Sequence, residues 1–494
     1  MTELSGLPLL SCLLALPLLG ALACSLQRDA AWARGLALGA ALLTLLCSLL
    51  VVAAFDGTRG GFQLLDSANW MPGLNIRYLV GVDGISLLFL PATALLFCAT
   101  VIAGWRGVRS APGLYFALLL FFEAATLGVF CALDSILFFF CWELTLLPLY
   151  FLVSLWGVDG WRQAAAVRYF FVMLGGGVPL LFGIIVLVFS HAAGGPLAFD
   201  LPTLLINPVD RDAQILVFLL LLVGFGVKVP LVPLHTWLPA MAMGAPAAVT
   251  ALLVGLKLGA YGLIRFAIPL APQAAHELHW LLAGFGTVAI LYGAVAALAQ
   301  SNLRSMLAYL SVSHVGLVVL GLASFSVSAL QGALLQLLNF SVAAGSGFLM
   351  LAFLQRRTGS TDLAHLGGVA RSMPLLSSFF LLFGLAGMGM PGTIGFPAEL
   401  LIVVSALHTH TGAGLAALFG VVLGAGAFLA PFRRAFFGPA TSPDVLAAED
   451  LRARELLLAL VPTVLLLVFG FYPAPLLELL RPAAEAWVAG MGVF

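Results

Sequence analysis

Lys228 and Lys257 are the only lysines in a chain of 494 residues whose other nineteen basic residues are all arginine. Both stand in apolar surroundings. Lys228 follows the run Ile215–Val227 and precedes Pro230, Pro233 and Pro239, which must break or kink a helix. Lys257 lies midway along Ala247–Ile264. An arginine would stay charged there, whereas a lysine can lose its proton when desolvated, so the choice of residue suits a proton relay. A charge at mid-bilayer costs at least roughly 2.5–3.5 kcal/mol. The bland alternative is a structural lysine paired with a carboxylate, and two lysines beside a broken helix favour the relay. The other ionisable residues in apolar runs are Glu143 (FFFCWELTLLPLYFL), Glu123 (LLLFFEAATLGVF), Glu399, His314 after AYLSVS, and His235 in the break after Lys228. Spread along the chain rather than gathered, they suit a wire for protons and make a poor metal site. Asp83 and Asp134 stand where spans begin, and helix N-capping accounts for both.

These residues need a bilayer to sit in. With 62% hydrophobic and 9% charged residues, no soluble fold could hide the apolar surface. The chain reads as an all-α polytopic membrane protein. Its six cysteines have neither metal-ligand spacing nor a paired secretory framework and read as buried small hydrophobes. There is no P-loop, Rossmann unit or iron–sulfur pattern, so no cofactor and no redox chemistry are expected of this chain itself. Nothing points to nucleic acid. The glycine triplet 175–177 sits in an apolar run and reads as a close helix contact.

Spans of suitable length number about fourteen, at approximately 5–25, 33–55, 84–104, 113–132, 134–155, 166–190, 214–232, 247–267, 279–300, 303–324, 328–354, 373–408, 411–436 and 455–472. Glu3 rather than a basic stretch precedes the first, which reads as a retained helix. Placing both termini in the periplasm puts fourteen arginines on the cytoplasmic side, among them Arg106, Arg304 and Arg357, and five opposite: Arg59, Arg77, Arg211, Arg265 and Arg481. A second interruption, at Pro391, Gly392 and Pro397 just before Glu399, matches the one after Lys228. Two broken helices at corresponding places point to inverted repeats of five helices, 113–272 and 273–436. Three helices (1–112) precede them, and one helix with a tail (437–494) follows.

The segments GVDGISLLFL (81–90), CWELTLLPLYFLV (141–153), KVPLVPLHTWLP (228–239), LKLGAYGLIR (256–265) and LAYLSVSHVG (307–316) resemble the antiporter-like subunits of respiratory complex I, NADH-quinone oxidoreductase. Glu-Leu-x-Leu-x-Pro-x-Tyr at 143–150 and a glutamate at 399 are similar to the M type. The chain also stops about twenty residues after its last span, which leaves no room for the long lateral helix of the L type. The resemblance implies a bacterial inner-membrane location and a proton-translocating role beside L-type and N-type subunits. It further implies that Glu143 and Lys228 form a modulated ion pair, that Lys257 is the central relay and that Glu399 stands near the exit.

The chain departs from the family pattern in places. After HTWLP, residues 240–244 are Ala-Met-Ala-Met-Gly where the family has Asp-Ala-His-x-Glu. Asn302 and Arg304 replace an Asp and a Lys, and Phe340 follows Asn339 where a histidine is usual. A Mrp-type cation/proton antiporter, a hydrogenase or formate hydrogenlyase membrane subunit, and a non-pumping structural subunit are the alternatives.

Overall fold

The computed structural model describes residues 8–492 except 106, 159 and 441. Glu3 and Arg106 therefore lie outside the described residues. Ten described helices are long and apolar enough to cross a membrane, and four shorter apolar helices accompany them: Leu9–Ser25, Phe89–Gly104, Pro374–Gly387 and Gly395–Thr409. This is a multi-pass α-helical membrane protein. Short polar residues start the helices by accepting from their free N–H groups: Asp134 from Ile136 and Leu137 (2.9 and 3.1 Å), Asn302 from Arg304 (2.9 Å) and Ser326 from Ala329 (3.2 Å).

Among the described residues, three spans are broken over two or more residues, not two. The Lys228 helix (Arg211–Lys228) gives way to a 3₁₀ turn, Leu234–Thr236, and resumes as Trp237–Gly244. The run through Lys257 is not one helix. It stops at Gly255, restarts at Leu258 and passes through a π turn at Leu263–Ala267. The third break separates Pro374–Gly387 from Gly395–Thr409, with Gly389 and Gly392 at φ +66° and +90°. Each break frees a carbonyl that hydrocarbon cannot solvate, and a side chain fills the vacancy in every case. Trp237 Nε1 donates to Val227 O (2.8 Å), Ser341 Oγ to Gly255 O (3.0 Å) and Asn339 Nδ2 to Ala386 O (3.1 Å).

One end of the bundle carries structure the sequence reading placed nowhere. Strands β1 (Gln63–Met71) and β2 (Ile76–Val82) form an antiparallel hairpin, so the chain is not all-α. The hairpin is tied to the bundle by Asp66 accepting from Ser11 N and Oγ (2.9 Å each) and by Asp134 accepting from Arg77 N (3.0 Å). The C-terminal segment is likewise a helix rather than a loose tail. Ala474–Gly490 buries Leu476, Leu480, Ala484 and Trp487, and Trp487 Nε1 donates to Ile264 O (2.8 Å). Two arginines counted as loop charges are buried, Arg265 at 5% and Arg304 at 1% exposure. Cys12 is exposed rather than buried.

Candidate functional site

Glu143 and Thr145 lie where helix Ser135–Leu144 meets helix Leu146–Trp156. Lys228 is the last helical residue before its break, and its Nζ donates to Thr145 Oγ1 (2.9 Å) and Trp142 O (3.2 Å) and lies 3.8 Å from the Trp142 ring centroid. The Glu143 carboxyl turns toward Gly177, where an added Cβ would stand 3.1 Å from its Cδ. Among the described residues, no carboxylate oxygen approaches Lys228 within 4.0 Å. The two residues expected to form an ion pair thus share one helix junction without touching.

Lys257 sits in the break of its own span, buried at 7% exposure. Its ammonium donates to Ser311 Oγ and lies 5.1 Å from the Phe340 ring, and again no described carboxylate is within 4.0 Å. One turn beyond Ser311, His314 faces Phe340 at 5.9 Å between ring centroids. A cavity of about 40 Å³ opens here, bounded by Ser311, His314, Asn339, Phe340 and Gly387. That volume holds a water or more. Glu399, 7% exposed, accepts from Gln336 Nε2 (3.4 Å) and packs on Gly389 in the third break. The Gln336 Oε1 and Asn339 Oδ1 atoms are buried with no described partner. Polar groups therefore run from Lys257 through Ser311, His314, Asn339 and Gln336 to Glu399.

His235 and Glu123 stand apart from these contacts. The His235 ring is 3% exposed and lies near Tyr292 (4.9 Å) and Tyr309 (6.1 Å), between the first break and the helix that carries Ser311 and His314. Glu123 is fully buried on helix Pro112–Cys131, and neither carboxyl oxygen has a described hydrogen-bond partner. No basic side chain among the described residues lies within 4.0 Å of it. No described group of three or more His, Cys, Asp or Glu could hold a metal.

Both lysines rest on hydroxyls. A hydroxyl accepts from an ammonium and donates to a neutral amine, so it satisfies either protonation state, whereas a carboxylate favours only the charged one.

The family model described as "NADH:quinone oxidoreductase/Mrp antiporter, TM" matches residues 132–424. NADH-quinone oxidoreductase subunit M of Pseudomonas aeruginosa is 36% identical over 484 residues, covering 94% of this chain and 95% of the relative. The F(420)H(2) dehydrogenase subunit M of Methanosarcina mazei is 33% identical, covering 99% and 100%. Among solved structures, a chain of respiratory complex I from Thermus thermophilus with bound NADH superposes with a TM-score of 0.90 at 30% identity, covering 99% of this chain and 100% of that one. The chain belongs to the subunit M family of NADH-quinone oxidoreductase.

Within this subunit M sequence the residue reading missed several participants. Thr145 and Ser311 hold the lysines, yet single hydroxyls in apolar runs carry no distinguishing signal. Asp83 does not cap the Phe89–Gly104 helix, whose N-cap is Leu88; it closes the turn ahead of it, accepting from Ile85 N and Ser86 N (3.1 Å each), and takes the Arg265 guanidinium in a two-pronged buried pair, with Nη1 to Oδ2 at 2.8 Å and Nη2 to Oδ1. An acid and a base each flanked by apolar residues were the available hint. Arg304 bonds Ala245 O, Thr250 Oγ1 (3.2 Å) and Gln355 Oε1 (3.0 Å), which ties the end of the first broken span to the Gly345–Thr358 helix.

Outside the spans, His410 Nε2 meets His279 Nδ1 at 2.7 Å. Burial, and then the facing His279, hold the His410 imidazole below its ordinary value. Glu277 accepts both prongs of Arg211 (2.6 and 2.8 Å), and those hydrogen bonds draw its carboxyl below the usual range.

Proposed function

We propose that this subunit M translocates protons in the membrane arm of NADH-quinone oxidoreductase, driven by quinone reduction in other subunits. The observation that carries the reading is the matched setting of the two lysines: each at a helix interruption, each on a hydroxyl, neither held by a carboxylate. Glu143 is the moving charge. Brought to about 4 Å from Lys228 it would stabilise the ammonium by about 4 kcal/mol at an effective dielectric of about 20, close to three orders of magnitude in proton affinity. Withdrawn toward Gly177, it leaves Thr145 to hold the amine while the proton moves on. His235 would pass the proton toward Lys257, and Ser311, His314, Asn339 and Gln336 would carry it on to Glu399. Glu123, a buried carboxyl with no described hydrogen bond, would be a reserve proton site.

The reading includes about fourteen spans, inverted units at 113–272 and 273–436, and both termini in the periplasm of a bacterial inner membrane. Its neighbours are L-type and N-type subunits, lipid and protons. Proton pumping by the assembled complex in sealed vesicles tests it. Glu143→Ala, and Met in place of either lysine, should abolish pumping while assembly survives. Wild-type pumping by Glu143→Ala would defeat the ion-pair step. A cysteine beside Arg357 should label from the cytoplasmic face only. The NADH- and quinone-module proteins that co-purify would separate this reading from a Mrp-type antiporter or hydrogenase subunit.

A structural, non-pumping role is the second reading, and Phe340 packed against His314 in the seam favours it. His314→Ala decides between them. Loss of pumping, with partial return in a variant that also carries Phe340→His, supports the relay, and normal pumping supports the structural subunit.

A further inference from the structure

A cavity of about 370 Å³ opens where helix Phe89–Gly104 ends, helix Gly345–Thr358 ends and helix Ala453–Phe471 begins. It lies away from both lysines and plays no part in the relay. Four guanidiniums, Arg356, Arg357, Arg452 and Arg454, border it with only two carboxylates, Glu449 and Glu455, which leaves a net charge of +2.

The four arginines differ in what they have left to give. Arg357 is committed: it bonds Glu455, Glu449 O (2.7 Å), Asp450 O (3.0 Å) and Phe353 O (3.1 Å). Glu455 is thereby occupied and lies 3.6 Å from Arg356. Arg452 reaches Glu449 at 3.1 Å in an exposed pair. Arg454 has no described carboxylate within 4.0 Å and lies over the Trp105 ring at 5.9 Å. Most of the donors of Arg356 and Arg454 therefore have no partner among the described residues. Below the cavity, the same helix presents Leu457, Val461, Val464 and Val468, each more than a third exposed, as one apolar stripe running into the membrane. A basic cup with an indole at its rim and an apolar track leading away fits a molecule that is a phosphate at one end and hydrocarbon at the other.

We propose that this cavity binds the phosphodiester headgroup of an anionic phospholipid. Arg356 and Arg454 grip the phosphate in forked hydrogen bonds, Arg452 adds charge at the mouth, and an acyl chain lies along Leu457–Val468. The volume falls within the range of small-ligand pockets. A soluble phosphate would use the cup but not the stripe.

The test uses the assembled complex, stripped of loosely held lipid in detergent and then titrated with phosphatidylglycerol, phosphatidylcholine or glycerol phosphate. Bound lipid is counted by mass spectrometry. At roughly fivefold per arginine near a membrane surface, Arg356→Gln with Arg454→Gln should weaken phosphatidylglycerol binding about 25-fold. Arg371→Gln, outside the cavity, should change nothing, and Glu449→Gln should tighten binding because it removes a competing carboxylate. That last variant keeps the test alive if the double arginine variant fails to assemble. Unchanged phosphatidylglycerol binding in the double variant, or in Glu449→Gln, overturns the proposal. So does phosphatidylcholine binding equal to phosphatidylglycerol, or glycerol phosphate displacing the lipid at equal concentration. A photo-crosslinker at position 454 that captures a neighbouring subunit instead of lipid overturns it as well.

Discussion

Alanine substitution of the three glycines at 175–177 separates packing from chemistry within one helix turn. An ideal Cβ on Gly175 meets nothing within 4 Å. On Gly176 it meets the Val227 side chain at 2.9–3.1 Å, and on Gly177 it meets the Glu143 carboxyl, with Cδ at 3.1 Å. Non-bonded carbons settle at about 3.5–4.0 Å, so Gly177→Ala must displace the carboxyl by roughly 0.5–1 Å. Overpacking costs about 1–3 kcal/mol, and replacing an interior helical glycine by alanine returns up to about 1 kcal/mol. The net loss of stability is then at most about 3 kcal/mol, which an assembled complex can absorb. The carboxyl has nonetheless lost the position from which, in the proposed relay, it swings to Lys228. Each variant is assembled, its thermal stability measured, and its proton pumping followed in sealed vesicles. Gly175→Ala should equal or exceed the parent in stability and match it in pumping. Gly176→Ala should lose stability with pumping in proportion, and Gly177→Ala should lose pumping beyond what its stability explains. Equal pumping by Gly177→Ala and Gly175→Ala would refute the role given to Glu143 at this junction.

Ser311→Asp should stop pumping by pinning the Lys257 ammonium to a permanent countercharge, while Ser311→Thr, which keeps the hydroxyl, should retain it; a pumping Ser311→Asp variant would refute the hydroxyl argument. Asp83→Asn should destabilise the protein by about 3–5 kcal/mol, because it strands a buried guanidinium, and Asp83→Leu with Arg265→Met should cost clearly less; thermal denaturation of both variants against the parent checks this. The His410 imidazole is held below its ordinary value of 6.5, so the folded state resists its protonation. Its contribution is full above pH 6.5 and is lost as pH falls below that value, and the parent should lose thermal stability on acidification more steeply than His410→Asn.

Much of this arrangement can be read from residue types. The run lengths mark the helices, and the prolines at 230, 233, 391 and 397 mark two of the breaks. The break at Lys257 has no proline, only Gly255 and Gly259 on either side. It exists because Ser341 takes up the Gly255 carbonyl and because Gly259 packs directly on the backbone of Lys228 and Val229. Those contacts are tertiary. The hairpin escaped notice because most of β1 is exposed and bulged, so no alternation of polar and apolar residues announces it. Asp83 and Arg265 are 182 positions apart, a distance at which only the folded bundle reveals a partner. The separation of Glu143 from Lys228 is set by how closely Gly177 lets one helix approach another.

The two kinds of buried cation divide the labour by their chemistry. Arg265 and Arg304 keep their charge at any physiological pH, and each is surrounded by acceptors fit for a permanent cation: a carboxylate for one, a carbonyl, a hydroxyl and an amide oxygen for the other. Such sites fix geometry, since moving the guanidinium would strand it. Lys228 and Lys257 have one hydroxyl each and an aromatic face, Lys228 has the Trp142 carbonyl besides, and neither has a described carboxylate within 4.0 Å, so an ammonium is tolerated without a fixed countercharge. The arginine pair at Asp83 joins the hairpin end of the bundle to the span that holds Lys257, and Arg304 joins the first broken span to the helix that continues from Phe340. Rigid cations thus stand at both ends of the span whose centre carries the lysine, so the helix break at Lys257 is braced on either side, and in the proposed relay a change in its charge would fall first on the neighbouring polar side chains.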